Sequence, residues 1–125
     1  MGSRFTELIV DAANPDQLAQ FWMAALGWQP TGRYPSPLVE IADPAQAEGG
    51  RGPTITFVPV PDEKRGKNRL HIDLSPVDCD QDAEVERLIG LGARRADVGQ
   101  RPDQSFIVLA DPEGNEFCVL RDRVD

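Results

Sequence analysis

One strand, one helix and three strands are predicted in the same order twice along these 125 residues, and this repeat constrains the fold most. The spacing agrees between the copies. Glu7 lies 19 residues before Leu26, at the end of the first helix, and His71 lies 20 residues before Leu91, at the end of the second. A βαβββ unit covers only one face of its sheet with the helix. We therefore predict an α+β fold in which two βαβββ modules form an incomplete β-barrel-like cleft, with the helices outside.

The two predicted modules belong to one domain that spans residues 1–125. Module one covers about residues 4–60, a linker covers 61–69, and module two covers about 70–122. Alternation of side chains and turn residues between them indicate the strands. They cover residues 5–11, 28–33, 38–42 and 54–60 in the first module, and 70–74, 93–98, 106–110 and 116–120 in the second.

Both predicted helices carry recognisable start and stop residues. Asn14 is a favourable N-cap before Pro15, and Gly27 ends the first helix. Asp80 can cap the second helix, which ends at Gly92. Apolar residues recur at helical spacing, at Leu18, Phe21, Trp22, Ala25 and Leu26 in the first helix, and at Val85, Leu88 and Ile89 in the second.

A tight turn is predicted between the last two strands. Asp111 takes the first position, where its carboxylate can accept backbone N–H groups, and Pro112 presets φ at the second. Gly114 supplies the left-handed conformation that the chain needs to leave the turn. We predict that Asp111 and Gly114 are structural residues and not catalytic ones.

The charge of the chain restricts its partners. A net charge of −8 and a pI near 4.6 argue against binding to nucleic acid or to an anionic membrane surface, since both attract cationic proteins. The sequence has no run of about 18 apolar residues, and its start lacks the features of a signal peptide. Two cysteines are too few for a disulfide scaffold, so we expect a reduced, cytoplasmic setting.

The predicted linker is a basic stretch in this acidic chain. It contains Lys64, Arg65, Lys67 and Arg69. These cations could bind an anion, but a solvated linker is the favoured interpretation.

Strand alternation and the repeat assign residues to the sheet faces that no helix covers. In the strand 70–74 the apolar residues point to the helix side, which leaves the two polar residues on the other face. The repeat makes Glu7 equivalent to His71, and Val58 equivalent to Cys118. The pocket is predicted to be lined by residues of both modules, namely Glu7, Ile9, Thr56, Val58, His71, Asp73, Glu116 and Cys118.

Three motifs occur in order along the chain. They are Asn14-Pro15-Asp16 followed by Phe21-Trp22 and Leu26-Gly27, then Asn68 to Leu74, then Asp111 to Asn115. Together they resemble the glyoxalase/bleomycin resistance protein/extradiol dioxygenase superfamily (the vicinal oxygen chelate, or VOC, fold), and most closely its small bacterial glyoxalase-like domains. The resemblance spans nearly the whole chain and implies the two-module fold. It leaves the reaction open, because the superfamily includes isomerases, lyases, dioxygenases, epimerases and metal-free drug-binding proteins.

The resemblance also implies where a metal would bind. Metalloenzymes of the superfamily take ligands from the first and last strands of both modules, which correspond here to Glu7, Val58, His71 and Cys118. A valine cannot bind a metal, and a cysteine stands where these enzymes usually carry a carboxylate. The remaining set, Glu7, His71 and Cys118, is compatible with a three-ligand zinc site, so one divalent metal such as zinc is a candidate cofactor. Glu7 and His71 are also the candidate catalytic residues.

Each of these residues has a structural interpretation as well. His71 could be a hydrogen-bonded histidine of the pocket, and Cys118 a small core residue. We do not expect His71 to pair with Asp73, because side chains two apart on a strand point in parallel. Glu7, on an interior strand, needs a partner, a metal or water.

Three functions remain open from the sequence. The favoured one is a glyoxalase-like protein that binds a small organic molecule and has a degenerate metal site. The alternative is a metal-dependent lyase or isomerase of the glyoxalase type, in which Glu7 or His71 moves a proton. The third is a structural or regulatory module with a vestigial site. We also expect a homodimer, because pairing would cover open sheet edges.

Overall fold

A computed structural model describes residues 2–46 and 52–124 of the chain. The chain divides into two compact units, residues 1–63 and 64–125. Each unit contains one helix and one four-stranded sheet, so the predicted α+β class with two βαβββ units is confirmed. Within the described ranges, no helix is long and apolar enough to cross a membrane.

The first unit begins with a strand, continues with a helix and ends with three strands. Its elements are β1 Glu7–Ala12, α1 Pro15–Leu26, β2 Gln29–Pro30, β3 Val39–Ala42 and β4 Thr54–Pro59. The sheet order is β1-β4-β3-β2, with β1 parallel to β4 and the other pairs antiparallel. Strand β2 is shorter than predicted, because only two of its residues pair with β3.

Helix α1 begins and ends where the sequence predicts. The Asn14 side chain accepts a hydrogen bond from the Gln17 backbone N–H at 3.2 Å, and Gly27 adopts the left-handed conformation with φ of 71°. The helix contacts β3 and β4 through its apolar stripe. The buried residues of this stripe include Leu18, Ala19, Phe21, Trp22 and Ala25. Burial of this stripe is the main source of stability for a helix of such length.

The second unit repeats this order. Its elements are β5 Ile72–Leu74, α2 Gln81–Leu91, β6 Arg94–Arg95, β7 Ile107–Ala110 and β8 Glu116–Val119. The sheet order is β5-β8-β7-β6, with β5 parallel to β8. The Asp80 carboxylate caps α2 by accepting the Ala83 backbone N–H at 2.9 Å, as predicted, and Val85 and Leu88 are buried.

The turn between β7 and β8 is built on Asp111. This fully buried carboxylate accepts the backbone N–H groups of Glu113 and Asn115, both at 2.9 Å, and the side-chain amide of Asn115. Gly114 has a φ of 88°, and its N–H donates to the Asp111 carbonyl at 2.8 Å. These contacts support the structural role predicted for both residues.

Strand pairing shows which residues of the two units are equivalent. Gln29 and Arg94 each lie two residues after the glycine that ends the preceding helix. Gln29 pairs with Ala42, and Arg94 pairs with Ala110. The two alanines therefore occupy the same position in their sheets, and the rest of each ladder can be counted from them.

This count corrects one predicted equivalence. Thr56 lies opposite Glu40, and Cys118 lies opposite Val108 at the same position of the second ladder. The prediction that Val58 is equivalent to Cys118 is therefore wrong by two residues. The connection before β4 is longer than the one before β8. Spacing along the sequence therefore does not show which residues of the last strands are equivalent.

The other predicted equivalence is confirmed. Glu7 pairs with Thr54 on β4. His71 directly precedes β5, and counting back one residue from the pair of Ile72 and Phe117 puts it level with Glu116, which occupies the position of Thr54 in the second sheet. Glu7 and His71 are therefore equivalent.

We call the side of each sheet that faces away from its helix the helix-free face. In the first sheet it carries Glu7, Ile9, Glu40, Thr54, Thr56 and Val58. In the second sheet it carries His71, Asp73, Val108, Glu116, Cys118 and Leu120.

Candidate ligand and metal site

The helix-free face of the second sheet brings three side chains with ligand atoms together. Cys118 on β8 lies opposite Asp73 on β5. His71 Nε2 is 3.1 Å from Asp73 Oδ1, and one ligand atom from each of the three residues lies within 4.8 Å of the others. The expectation that His71 and Asp73 do not pair is therefore wrong. Side chains two apart on a strand lie on the same face, and the long side chain of His71 reaches the Asp73 carboxylate there.

A nitrogen, an oxygen and a sulfur donor at this spacing fit a three-ligand metal site. Zinc binds such donors at about 2.0–2.3 Å, so its ligand atoms lie roughly 3–4 Å from one another. His71 and Asp73 are half-exposed and can rotate to reach that spacing. Asp73 is thus a candidate ligand beside His71 and Cys118, and the predicted participation of Glu7 stays a prediction.

A cavity of about 360 Å³ opens beside these residues, a volume within the range of small-molecule sites. Its apolar wall consists of Val98, Phe106, Val108 and Leu120. Its side chains with polar or ligand atoms include Lys67, His71, Asp73, Gln104, Glu116 and Cys118. Four of the residues predicted to line a pocket, His71, Asp73, Glu116 and Cys118, therefore share one cavity.

Exposure differs within the site. The side chains of His71 and Asp73 are 45% and 49% exposed, whereas Cys118 is 6% exposed and lies at the floor of the cavity. Burial and the neighbouring Asp73 raise the pKa of the Cys118 thiol, and the charge of Lys67 opposes this rise. The thiol is therefore protonated at neutral pH unless a metal cation replaces its proton.

Glu116 lines the cavity, but both of its oxygens accept hydrogen bonds from the segment that precedes β5. Lys64 Nζ donates to Glu116 Oε1 at 2.9 Å, and the Asn68 backbone N–H donates to Oε2 at 3.1 Å. Burial alone would raise the pKa of Glu116, but hydrogen bonds from Lys64 and from backbone N–H groups outweigh it and lower that pKa. Glu116 is thus an ionised anchor for the preceding segment.

Sequence reasoning missed three cavity residues that carry hydrogen-bond donors, Lys67, Gln100 and Gln104. Lys67 belongs to the stretch interpreted as a solvated linker, and the only signal for it was the basic composition of that stretch. Gln104 lies in the irregular segment between β6 and β7, where strand periodicity gives no information.

The helix-free face of the first sheet carries a different polar network. Glu40 is 4% exposed, and its carboxylate accepts the hydroxyl groups of Thr31 at 2.6 Å and Thr54 at 3.1 Å. The Arg33 guanidinium lies 3.7 Å from Glu40 and 3.8 Å from Glu7. Glu7 therefore has a charged partner within its own unit. Sequence reasoning missed Glu40, because a single glutamate in a short strand carries no spacing signal.

The remaining first-unit residues of the predicted pocket lie on this same face. Thr56 is 1% exposed, and its hydroxyl has no hydrogen-bond partner within the part of the chain that the structure describes. Ile9 is exposed and Val58 is half-buried. The convergence of these residues and of Glu7 with the second-unit site stays a prediction.

Solved structures with this fold come from diverse organisms. The chain resembles a glyoxalase/bleomycin resistance protein/dioxygenase family enzyme from Burkholderia phytofirmans PsJN with a TM-score of 0.71 and 18% identity, over 94% of this chain and 97% of that chain. The fosfomycin resistance protein FosX from Mesorhizobium loti is similar with a TM-score of 0.63 and 15% identity, over 98% of this chain and 93% of that chain. The glyoxalase I of Leishmania major is similar with a TM-score of 0.66 and 12% identity, over 97% of this chain and 88% of that chain. At such identities the likeness shows the fold alone.

Sequence comparison identifies the family. No curated protein sequence matches the chain. The profile of the family described as glyoxalase-like domain matches residues 7–120, which is nearly the whole chain and both βαβββ units. The chain therefore belongs to the glyoxalase-like domain family, the kind of family that its sequence motifs resemble.

Proposed function

We propose that this protein binds a small organic molecule in the cavity on the helix-free face of its second sheet. One observation carries the proposal: an apolar wall and a cluster of ligand atoms share a cavity of about 360 Å³. Small-molecule sites combine an apolar lining with a few convergent polar groups in this way. A fosfomycin resistance protein among the structural neighbours supports such a function by analogy of fold alone.

The cavity would divide the contacts with its ligand. Phe106, Val108 and Leu120 would contact the apolar part of the molecule, and burial of that part would supply most of the affinity. His71 and Gln104 would contact polar atoms and fix the orientation of the ligand.

A Leu120→Trp variant tests this proposal. Leu120 lines the cavity and is only half-buried, so an indole ring would fill the space without opening the core. Ligand-observed NMR with monocyclic aromatic acids, amides and amines would detect molecules that bind the full chain. We expect at least one to bind the wild-type protein and to lose binding to Leu120→Trp.

The matched control is Leu91→Trp. Leu91 ends α2, is 39% exposed and does not line the cavity, so this variant should bind as the wild type does. If no molecule binds, or if every molecule binds Leu120→Trp unchanged, the proposal is wrong.

A second function, that of a metal-dependent lyase or isomerase of the glyoxalase type, is favoured by the cluster of His71, Asp73 and Cys118. These three residues would hold one divalent metal such as zinc, with Cys118 as thiolate. The metal would polarise a substrate oxygen. The sequence predicts that Glu7 or His71 moves a proton, and this role stays a prediction.

Calorimetric titration with zinc chloride tests the second function. We expect the full chain to bind one zinc ion, with an affinity that falls at least about tenfold in Cys118→Ser, since a ligand is lost. Cys79→Ser is the control, because Cys79 lies outside the cluster. Equal affinities in wild type and Cys118→Ser, or equal losses in the two serine variants, would exclude this metal site.

We also propose that the protein is a homodimer. Strands β1 and β2 lie at the ends of the first sheet, and β5 and β6 at the ends of the second. Pairing between copies would cover such edges. Sedimentation of the full chain at tens of micromolar should show the mass of a dimer, whereas a monomer alone would contradict the proposal.

A further inference from the structure

Residues 64–68, which we call the strap, are tied to the start of β8 at both ends. At one end, Lys64 Nζ donates to Glu116 at 2.9 Å. At the other, the Asn68 backbone N–H donates to the second oxygen of Glu116 at 3.1 Å, and the Asn68 side-chain amide donates to Asn115 at 2.9 Å. The strap therefore has a fixed place beside the cavity, although it contains no helix or strand.

Between these anchors the strap presents Lys67 to the cavity. The Lys67 ammonium donates to the Asn68 backbone carbonyl at 3.1 Å, and within the described residues no carboxylate pairs with it. The two acids that line the cavity are engaged elsewhere. Glu116 binds the strap, and Asp73 contacts His71 at 3.1 Å. The positive charge of Lys67 is therefore not neutralised within the cavity.

Gln104 offers a second donor. Its side-chain oxygen accepts the Arg101 backbone N–H at 3.0 Å, while its NH₂ group has no hydrogen-bond partner in the described part of the chain. An ammonium and an amide NH₂ group that both lack an acidic partner are suited to an oxyanion, which only accepts hydrogen bonds.

We propose that the cavity selects small organic carboxylates, with Lys67 as the residue that recognises the carboxylate and Gln104 as a second donor. Glu116 is a positioning residue, since it holds the strap that presents Lys67. This inference rests on the proposed small-molecule function and names the ligand class of that site. The net charge of −8 repels anions at long range, so the selectivity comes from direct contact at this position.

Three probes of nearly equal shape and different charge test the inference on the full chain: benzoate, benzamide and benzylammonium. Their dissociation constants would be measured by NMR titration. We expect benzoate to bind most tightly. Lys67→Gln should weaken benzoate binding about tenfold, because a charge-assisted hydrogen bond is lost, and should change benzamide binding less than about twofold. Lys67→Arg should keep most of the benzoate affinity.

The matched control is Arg69→Gln, which removes the same charge from the same stretch at an exposed residue that does not line the cavity. It should change benzoate binding less than about twofold. Glu116→Ala frees the strap and should lower benzoate affinity more than benzamide affinity, whereas a general loss of structure would lower both equally.

Two kinds of failure can be told apart. If benzamide binds as tightly as benzoate, if benzylammonium binds best, or if Lys67→Gln and Arg69→Gln lose equal affinity, the carboxylate selectivity is overturned and small-molecule binding stands. If no probe binds at a site that Leu120→Trp blocks, and no other molecule does either, the proposed function fails and this inference fails with it.

Discussion

Where the first sheet carries Thr56 on its helix-free face, the second carries Cys118, and where the first carries Glu7, the second carries His71. In the first unit the buried carboxylate of Glu40 accepts the hydroxyl groups of Thr31 and Thr54 and lies beside the guanidinium of Arg33. In the second unit, ligand atoms and unneutralised donors line a cavity. Equivalent backbone positions thus hold a closed network in one unit and an open site in the other.

One position accounts for much of this difference. Glu40 lies opposite Thr56 on the first ladder, and Val108 lies opposite Cys118 on the second. A buried carboxylate needs hydrogen-bond or charged partners, and Glu40 has two hydroxyl groups and a guanidinium as neighbours. A valine needs none, so it engages none of its neighbours' donors and ligand atoms. Under the proposed function, residue type at a fixed position, more than the fold, determines which face binds a molecule.

The turns that precede the last strand of each unit should differ most in their contribution to the free energy of unfolding. Asp111 is fully buried and accepts three N–H groups, whereas the equivalent Asp43 is half-buried and accepts the Ala45 backbone N–H at 2.9 Å. Asp111→Ala should lower the free energy of unfolding by about 3 kcal/mol, because buried donors lose their acceptor. Asp43→Ala should cost about 1 kcal/mol or less. Urea denaturation measures both, and equal losses would remove the contrast.

Loss of the carboxylate at the centre of the first-unit polar network should have the next largest effect on stability. Glu40→Ala leaves two threonine hydroxyls and Arg33 without their buried acceptor, so it should lower the free energy of unfolding by roughly 2 kcal/mol. Glu7→Ala removes a partner that is more exposed and should cost less than about 1 kcal/mol. Urea midpoints of the two variants check this order. The reverse order would show that Glu40 is not the centre of the network.

The smallest effect is a gain in stability. The Thr56 hydroxyl is buried and has no hydrogen-bond partner in the described ranges, so Thr56→Val should raise the free energy of unfolding by about 1 kcal/mol. Thr56→Ser keeps the hydroxyl, loses a methyl group and should be less stable than wild type. A loss of stability in Thr56→Val would mean that the hydroxyl is satisfied and that the first face is a closed network throughout.

Local rules made much of the fold predictable. Asn14, Pro15 and Gly27 set the limits of α1 by capping and backbone conformation, which depend on neighbouring residues only. Strand alternation placed His71 and Cys118 on the helix-free face for the same reason, since it needs no knowledge of the register.

Features that depend on distant contacts were not predictable. The equivalence of Val58 with Cys118 failed because connections of different length precede the last strands. The contact between His71 and Asp73 was missed because strand alternation places both residues on one face but does not report side-chain conformation. The position of Lys67 depends on the hydrogen bond between Lys64 and Glu116, which lie 52 positions apart. Composition alone does not predict such a bond.

We propose that the helix-free face of the second sheet, and not the equivalent face of the first, binds small molecules. Amide chemical shifts of the isotope-labelled full chain during a benzoate titration test it most directly. We predict the largest changes at residues that line the cavity, among them Lys67, Gly99, Gln104 and Cys118. Changes confined to the first-unit network around Glu40 would contradict the claim.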